Sequence, residues 1–350
     1  MDSLRPGDPA TIGPFRLKAR LGQGGMGEVF LGESPGGREV AVKLIRAEHA
    51  ADPDFRERFV REVDAASRVG GFHTAQVVAA DPTAAMPWMA TAFVPGLSLR
   101  DEVIRGGPLA PSPVRSLGAA LAEGLAAIHA CGLVHRDLKP GNVIMSPDGP
   151  RIIDFGIARV ADVRSLTSDG AVFGTYAYMA PEQVRGGRVG PAADVFALGC
   201  VLAFAATGRG PFDAAAIPAI VHRILNGRPH LDGITGDLRG LIEACLFQDP
   251  VTRPSTLAIL DYLADPGGRP LPLTVPTSPY RPAQPLGAKV ATSELPATGS
   301  IPTPTGTRRM PRRAMIFGAL GAVAAAGTPA VLLLRRRGEA PPPTPTPTPS

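Results

Sequence analysis

Lysine is nearly absent from this 350-residue chain. Four occur, at 18, 43, 139 and 289, although lysine and arginine together number 36. Arginine therefore carries almost all of the positive charge, a coding bias that says little about chemistry. Cysteine is scarce too: Cys131, Cys200 and Cys245 lie far apart, and no C-x2-C spacing occurs. An odd, scattered set argues against a disulfide framework or a thiolate metal site, and it reads as small buried thiols in a reduced compartment. The opening MDSLRPGDPATIG has no apolar stretch, so no signal peptide is expected and the N-terminal part should stay in the cytoplasm. No repeat of solenoid period is visible. The net charge of +5 is not gathered on one tract of the main body. Its densest clusters, at 308–313 and 335–337, each border an apolar stretch, which fits a membrane better than nucleic acid, so no nucleic-acid partner is expected.

What is present is a long, continuously patterned segment. Hydrophobic residues make up 44% of the chain, enough for a sizeable core. Residues 1–14 form an N-terminal extension, and patterning with short loops runs from 15 to 264. From 265 to 313 the chain is rich in Pro, Thr, Ser and Gly and reads as a disordered linker. Ala314 to Leu334 holds 21 residues without a charge. At about 1.5 Å per residue this is long enough to cross about 30 Å of hydrocarbon as one helix. Residues 335–350 are a short Pro/Thr-rich tail.

Within 15–264 the first part reads as sheet. Phe15–Leu21, Glu28–Gly32 and Glu39–Ile45 are strand candidates between glycine turns, with Val77–Ala80 and Trp88–Phe93 further on. Between them, Asp52 and Pro53 open a helix whose Phe55, Phe59, Ala66 and Val69 recur near the helical period. After Gly96 the pattern turns helical. Ser112 and Pro113 start a helix with a Leu117, Leu121, Leu125 and Ile128 stripe, closed by Gly132. More helices are expected near 192–207, 214–226, 235–247 and 255–263. A small sheet lobe followed by a larger helical lobe leaves a cleft, a natural ligand site.

The strand-joining run Gly22-Gln23-Gly24-Gly25-Met26-Gly27 could bring backbone N–H groups close to phosphates. Alone it is weak, since a glycine-rich hairpin looks the same. A dinucleotide fold is disfavoured, because Val29 and Phe30 continue as strand instead of opening a helix. Lys43, inside the apolar Val40-Ala41-Val42, needs an anionic partner to offset its desolvation. Glu62 shares the core-facing side of the first helix and is assigned to hold Lys43 against phosphates; a plain structural salt bridge is the competing reading. His135-Arg136-Asp137-Leu138-Lys139-Pro140-Gly141-Asn142 crowds polar functional groups between hydrophobic segments, and Asp154-Phe155-Gly156 follows the apolar Ile152-Ile153. Phosphoryl transfer needs a carboxylate near the attacking hydroxyl, oxygen ligands for Mg2+, and positive charge near the moving phosphoryl group. Asp137, Asn142, Asp154 and Lys139 supply that set.

Together these motifs resemble the eukaryotic-like serine/threonine protein kinases of bacteria, particularly the membrane-anchored actinobacterial type, over about residues 15–264. The resemblance implies an α+β fold with a small, mainly β N-lobe and hinge (15–95) and a larger, mainly α C-lobe (96–264). It implies transfer of the γ-phosphoryl of ATP to protein Ser or Thr hydroxyls, with Mg2+ as the metal and Mn2+ able to substitute. By that likeness Asp137 is the base and Lys139 supports the phosphates. Asn142 and Asp154 bind the metal, and Lys43 with Glu62 positions ATP. Leu21, Gly22, Gly24, Gly27, Val29, Ala41, Thr91, Phe93 and Val94 would line the nucleotide site, with Thr91 as gatekeeper and Ala92–Val94 as hinge. Many relatives carry glutamate where Ala92 stands, but hinge recognition uses backbone groups. Thr175 would sit beside Asp137 and Lys139. His135 and Phe155, with Gly156 behind it, would be internal; a plain core role looks the same in sequence. Glu182 would pair with Arg253, and Asp194 would brace the catalytic loop. Thr167, then Ser168 and Ser165, are the expected phosphosites, read by Arg136 after activation between two transiently paired kinase domains.

A pseudokinase scaffold or ATP-binding regulatory module is the alternative, although such proteins usually lack the lysine or an aspartate present here. A small-molecule phosphotransferase is disfavoured by the complete segment from Asp154 to Glu182. The expected location is the cell membrane, with a single pass through 314–334 and the kinase domain in the cytoplasm.

Overall fold

The computed structural model describes residues 1–154 and 173–265, with the side chains of Phe173, Gly174 and Thr175 excepted. Six antiparallel strands form the first sheet. They are β1 (Thr11–Ile12), β2 (Phe15–Gly24), β3 (Gly27–Glu33), β4 (Glu39–Ile45), β5 (Val77–Asp81) and β6 (Trp88–Ala92), in the order β1-β2-β3-β4-β6-β5. Alternation along β2 and β4 sends Phe15, Leu17, Val40, Val42 and Leu44 into one cluster with Phe30 and Trp88. The ring of Phe15 meets Trp88 edge-on at 5.8 Å.

Two helices follow β4: the single turn α1 (Ala47–Ala50) and α2 (Pro53–Ser67). Asp52 caps α2 as its sequence predicts, accepting from the Asp54 amide at 2.9 Å, and Pro53 costs nothing at a position whose N–H has no helical partner. Phe55, Phe59, Val63 and Ala66 are buried beneath it. They belong to the cluster that continues into the second lobe, so α2 rests on the core that surrounds the cleft.

The second lobe begins with β7 (Leu97–Ser98), α3 (Leu99–Gly106) and α4 (Pro111–Ala130), then β8 (Val143–Ser146) and β9 (Gly149–Ile152). The strands β7, β8 and β9 make a small antiparallel sheet. α4 starts slightly earlier than Ser112 because Pro111 takes its first position. Its stripe of Leu117, Leu121, Leu125 and Ile128 is buried, each side chain contributing about 1.5–3 kcal/mol of transfer free energy. The remaining helices are α5 (Pro181–Val184), α6 (Pro191–Thr207), α7 (Ile217–Asn226), α8 (Gly236–Cys245) and α9 (Thr256–Ala264). α6 is apolar all round and buried from Ala193 to Ala205, which makes it the central post of the lobe. At Gly199 a Cβ would fall 2.8 Å from Cys245 Cβ, so that glycine lets α8 approach. Cys131, Cys200 and Cys245 are free thiols, the last two buried.

Among the described residues no helix is long and apolar enough to cross a membrane. The 314–334 span expected from sequence lies outside them, as do the linker and tail.

Candidate active site

β2 and β3 meet in a hairpin, with Gly22 opposite Val29 and Gly24 opposite Gly27. Its glycines are not equivalent. A Cβ on Gly27 would lie 1.9 Å from the Leu44 carbonyl oxygen, so close approach of β4 requires glycine there. Cβ atoms at the exposed Gly22, Gly24 and Gly25 would meet nothing within 4 Å, so the loop backbone there is open. Leu21 and Val29 flank the hairpin base and are half-buried. Across the sheet, Ala41 pairs with Thr91, and Phe93 and Val94 follow β6 into the second lobe.

Lys43 stands on β4 between Val29 and Met89, and its ammonium group pairs with the Asp154 carboxylate. Burial pushes the Asp154 carboxyl up. The charge and hydrogen bond of Lys43, aided by His135 and Lys139, outweigh burial and hold it below its ordinary range. The described ion pairs do not join Lys43 to Glu62, as the sequence reading had it. Glu62 Oε1 instead lies 3.5 Å from Arg136 Nη1. Glu62 lies on α2 and Arg136 in the loop before β8, so this pair joins the two lobes.

Arg136 and Asp154 are the two non-glycine residues with positive φ among the described residues, at +62° and +57°. Such strain persists only where surrounding contacts over-determine it. The contacts are visible. Asp194, in the first turn of α6, accepts from the His135 and Arg136 amides at 2.8 Å each, and from His129 Nε2 at 2.7 Å. Gln183 on α5 donates to the Arg136 carbonyl at 2.9 Å. The buried His135 accepts from the Asp137 amide and places Nε2 3.2 Å from the Ile153 carbonyl. His129 and Gln183 are contributors that sequence reasoning missed, since a single polar residue near a helix end carries no signal of its partner.

These braces set the polar cluster. Lys139 Nζ lies 2.9 Å from Asp137 Oδ2. Asn142 donates through Nδ2 to the Asp137 carbonyl at 2.9 Å, and its own carbonyl accepts from the Ile153 amide at 2.9 Å. Lys43 is thus linked through Asp154, its chain neighbour Ile153 and the Asn142 backbone to Asp137 and Lys139. The arrangement suits a hard divalent ion: an ionised carboxylate and an amide oxygen, with the amide nitrogen already engaged, match the sparse oxygen set Mg2+ takes from proteins. Farther out, Arg253 grips Glu182 with two bonds of 2.7 and 2.9 Å. Thr175 lies in the turn Phe173–Tyr178 with its side chain outside the described residues, and Phe155, Gly156, Ser165, Thr167 and Ser168 are outside them too.

A sheet lobe carrying a glycine hairpin and a strand lysine, over a helical lobe carrying this braced loop, defines the two-lobed protein kinase fold. The family described as "Protein kinase domain" matches residues 15–263, and the chain belongs to it. Over 293 residues it is 56% identical to the probable serine/threonine-protein kinase PkwA of Thermomonospora curvata, covering 80% of this chain and 40% of that protein. It is 50% identical to the serine/threonine-protein kinase AfsK of Streptomyces coelicolor, covering 75% and 33% respectively. The PknI kinase domain of Mycobacterium tuberculosis superposes with a TM-score of 0.58 at 27% identity, over 75% of this chain and 98% of that one. The chain therefore carries a serine/threonine kinase domain of the bacterial type, and it spans less than half the length of these two curated relatives.

Proposed function

We propose that this protein is an active Mg2+- and ATP-dependent serine/threonine protein kinase that also phosphorylates its own activation segment. The observation that supports the reading is the linked run from Lys43 to Lys139, which brings two cations, two carboxylates and an amide side chain together. Bound Mg-ATP would supply the transferable phosphoryl group and the metal's charge neutralisation. Gly22 and Gly24 give the phosphates room, while Leu21, Val29 and Ala41 offer apolar walls, Thr91 stands as gatekeeper, and Phe93 and Val94 offer hinge backbone. Lys43 orients the phosphates, and Asn142 and Asp154 hold the metal. Asp137 takes up the proton of the incoming Ser or Thr hydroxyl, with Lys139 beside it balancing charge and Thr175 fixing the substrate side. Asp137→Asn and Lys43→Met should each lower phosphate transfer to a model protein by roughly 10²-fold or more while the fold is retained. Near-normal turnover in a soluble variant would reject the site.

The Glu62–Arg136 pair supports a regulated version of this chemistry. Arg136 Nε is buried and has no hydrogen-bond partner among the described residues. A phosphate on Thr167, Ser168 or Ser165 adds a charge of about −1.5 to −2 and would compete for Arg136, releasing Glu62 to turn toward Lys43. Transfer between transiently paired kinase domains would supply it. Peptide mapping should find phosphate within 165–175 on active protein and none on Asp137→Asn; an unmodified segment in fully active protein would reject this control.

The uncharged run 314–334 supports a single membrane pass, linked to the kinase by 265–313, with the kinase on the ATP-containing side and 335–350 outside. Four arginines before the run and three after it orient it weakly. Full-length protein should stay in the membrane pellet through carbonate extraction; its release would overturn the anchor.

A further inference from the structure

Asp8 precedes the region matched to the kinase family, which starts at residue 15, yet it is tied to the nucleotide hairpin. The segment before β1 runs beside β2, joined by Asp2 and Arg20 through reciprocal backbone bonds of 3.0 and 2.8 Å, and by the Leu17 amide to the Ala10 carbonyl at 2.9 Å. Ile12 is buried and Leu4 packs on the same apolar cluster. Within this segment Asp8 grips the guanidinium of Arg20, with Nε at 2.7 Å from Oδ2 and Nη2 on Oδ1. The same carboxylate accepts from the Arg5 amide at 2.7 Å. The remaining corner of the guanidinium, Nη1, reaches Glu28 Oε1 at 2.9 Å, and its carbon lies 5.3 Å from the Phe30 ring centre.

The positions of these three residues matter. Arg20 stands two residues before Gly22, at a register irregularity in β2. Glu28 stands one residue after Gly27, on the returning strand. Arg20 therefore ties the two stems of the hairpin together at its base, and Asp8 holds the tie from a third segment. Each of the three guanidinium nitrogens is engaged, a planar geometry that lysine cannot reproduce.

We infer that Asp8 is a positioning residue for nucleotide binding: through Arg20 and Glu28 it sets the spacing of the stems and so pre-organises the glycine hairpin over the phosphates. This rests on the kinase reading above. Without Asp8, Arg20 keeps one partner and the stems can shift, so ordering the hairpin must be repeated at each binding event. The effect falls on nucleotide affinity, because the clamp touches neither Asp137 nor the metal ligands.

The experiment uses the full chain with Asp8→Asn, which keeps size and removes charge, and Arg20→Lys, which keeps charge and removes the fork. Readouts are the Kd of a fluorescent ATP analogue with Mg2+, the KM for ATP, kcat at saturating ATP, and Tm without nucleotide. The expected result is Kd and KM raised about fivefold or more in both variants, with kcat within about twofold of wild type and Tm lowered by only a few degrees as the pair is lost. Unchanged Kd overturns the inference. So does a raised Kd accompanied by a fall in Tm of many degrees, since that is general loosening of the lobe. Failure of the wild-type chain to bind Mg-ATP would instead sink the kinase reading itself, and the inference with it.

Discussion

Glu182→Gln should destabilise the helical lobe before it affects the sheet lobe. Arg253 is fully enclosed and Glu182 is about one-tenth exposed. Besides the two bonds to Glu182, the guanidinium donates to the carbonyls of Phe247 at 2.8 Å, Ala192 at 2.7 Å and Gln248 at 3.2 Å, and lies 5.0 Å from the Phe196 ring centre. Removing the negative charge leaves a buried cation among carbonyl dipoles, and breaking such a pair costs about 3–5 kcal/mol. That is a large share of the roughly 5–15 kcal/mol that holds a typical domain together. With a urea slope of about 2–3 kcal/mol/M, the midpoint should fall by roughly 1–2 M. Two probes separate the lobes: far-UV circular dichroism follows the helices, while fluorescence follows Trp88, the single tryptophan, in the sheet-lobe core. The dichroism midpoint should move more than the fluorescence midpoint. The double variant Glu182→Gln/Arg253→Met should lose less than the sum of the single variants, because an apolar side chain leaves no uncompensated charge. A dichroism shift below about 0.3 M in Glu182→Gln, or strict additivity, would refute the argument.

Thiol labelling gives a second test. Burial pushes the Cys245 thiol up to about 12 and raises Cys200 as well, so in native protein at mildly alkaline pH only the half-buried Cys131 should react quickly; fast labelling of three thiols would contradict the packing of α6 on α8. Acid provides a third. The hydrogen bond from Arg20 lowers the Asp8 carboxyl from 3.8 to about 2, so its stabilisation is complete above the ordinary value and is lost as pH falls toward the lowered one. Tm measured against pH should therefore fall less steeply for Asp8→Asn than for wild type between about 4 and 2, and parallel curves would refute the pairing.

Much of the site was legible because its chemistry is local in sequence. Residues 135–142 crowd a carboxylate, two cations and an amide into one loop, and Asp154 follows an apolar strand, so side-chain type and order already limit what the loop can do. The strands and helices were legible for a related reason: periods of 2 and 3.6 register which side chains must leave water. Asp52 with Pro53 marked a helix start to the residue. The short pieces escaped, β1 and α1 among them, since a few residues cannot display a period. The turn α5 escaped for the same cause, and with it the role of Gln183.

Which charge meets which was decided only in three dimensions. Lys43 visibly needed an anion, and Glu62 and Asp154 were both chemically suitable; the structure chose Asp154, 111 residues away, and gave Glu62 to Arg136. His129 found Asp194 across 65 positions, and Asp8 found Arg20 from outside the family-matched region. The amino-acid sequence states that a buried charge must be compensated, because desolvation is a property of the group itself. It does not state by whom, because ion pairing is decided over a few ångströms, and those separations exist only once the strands and helices have packed.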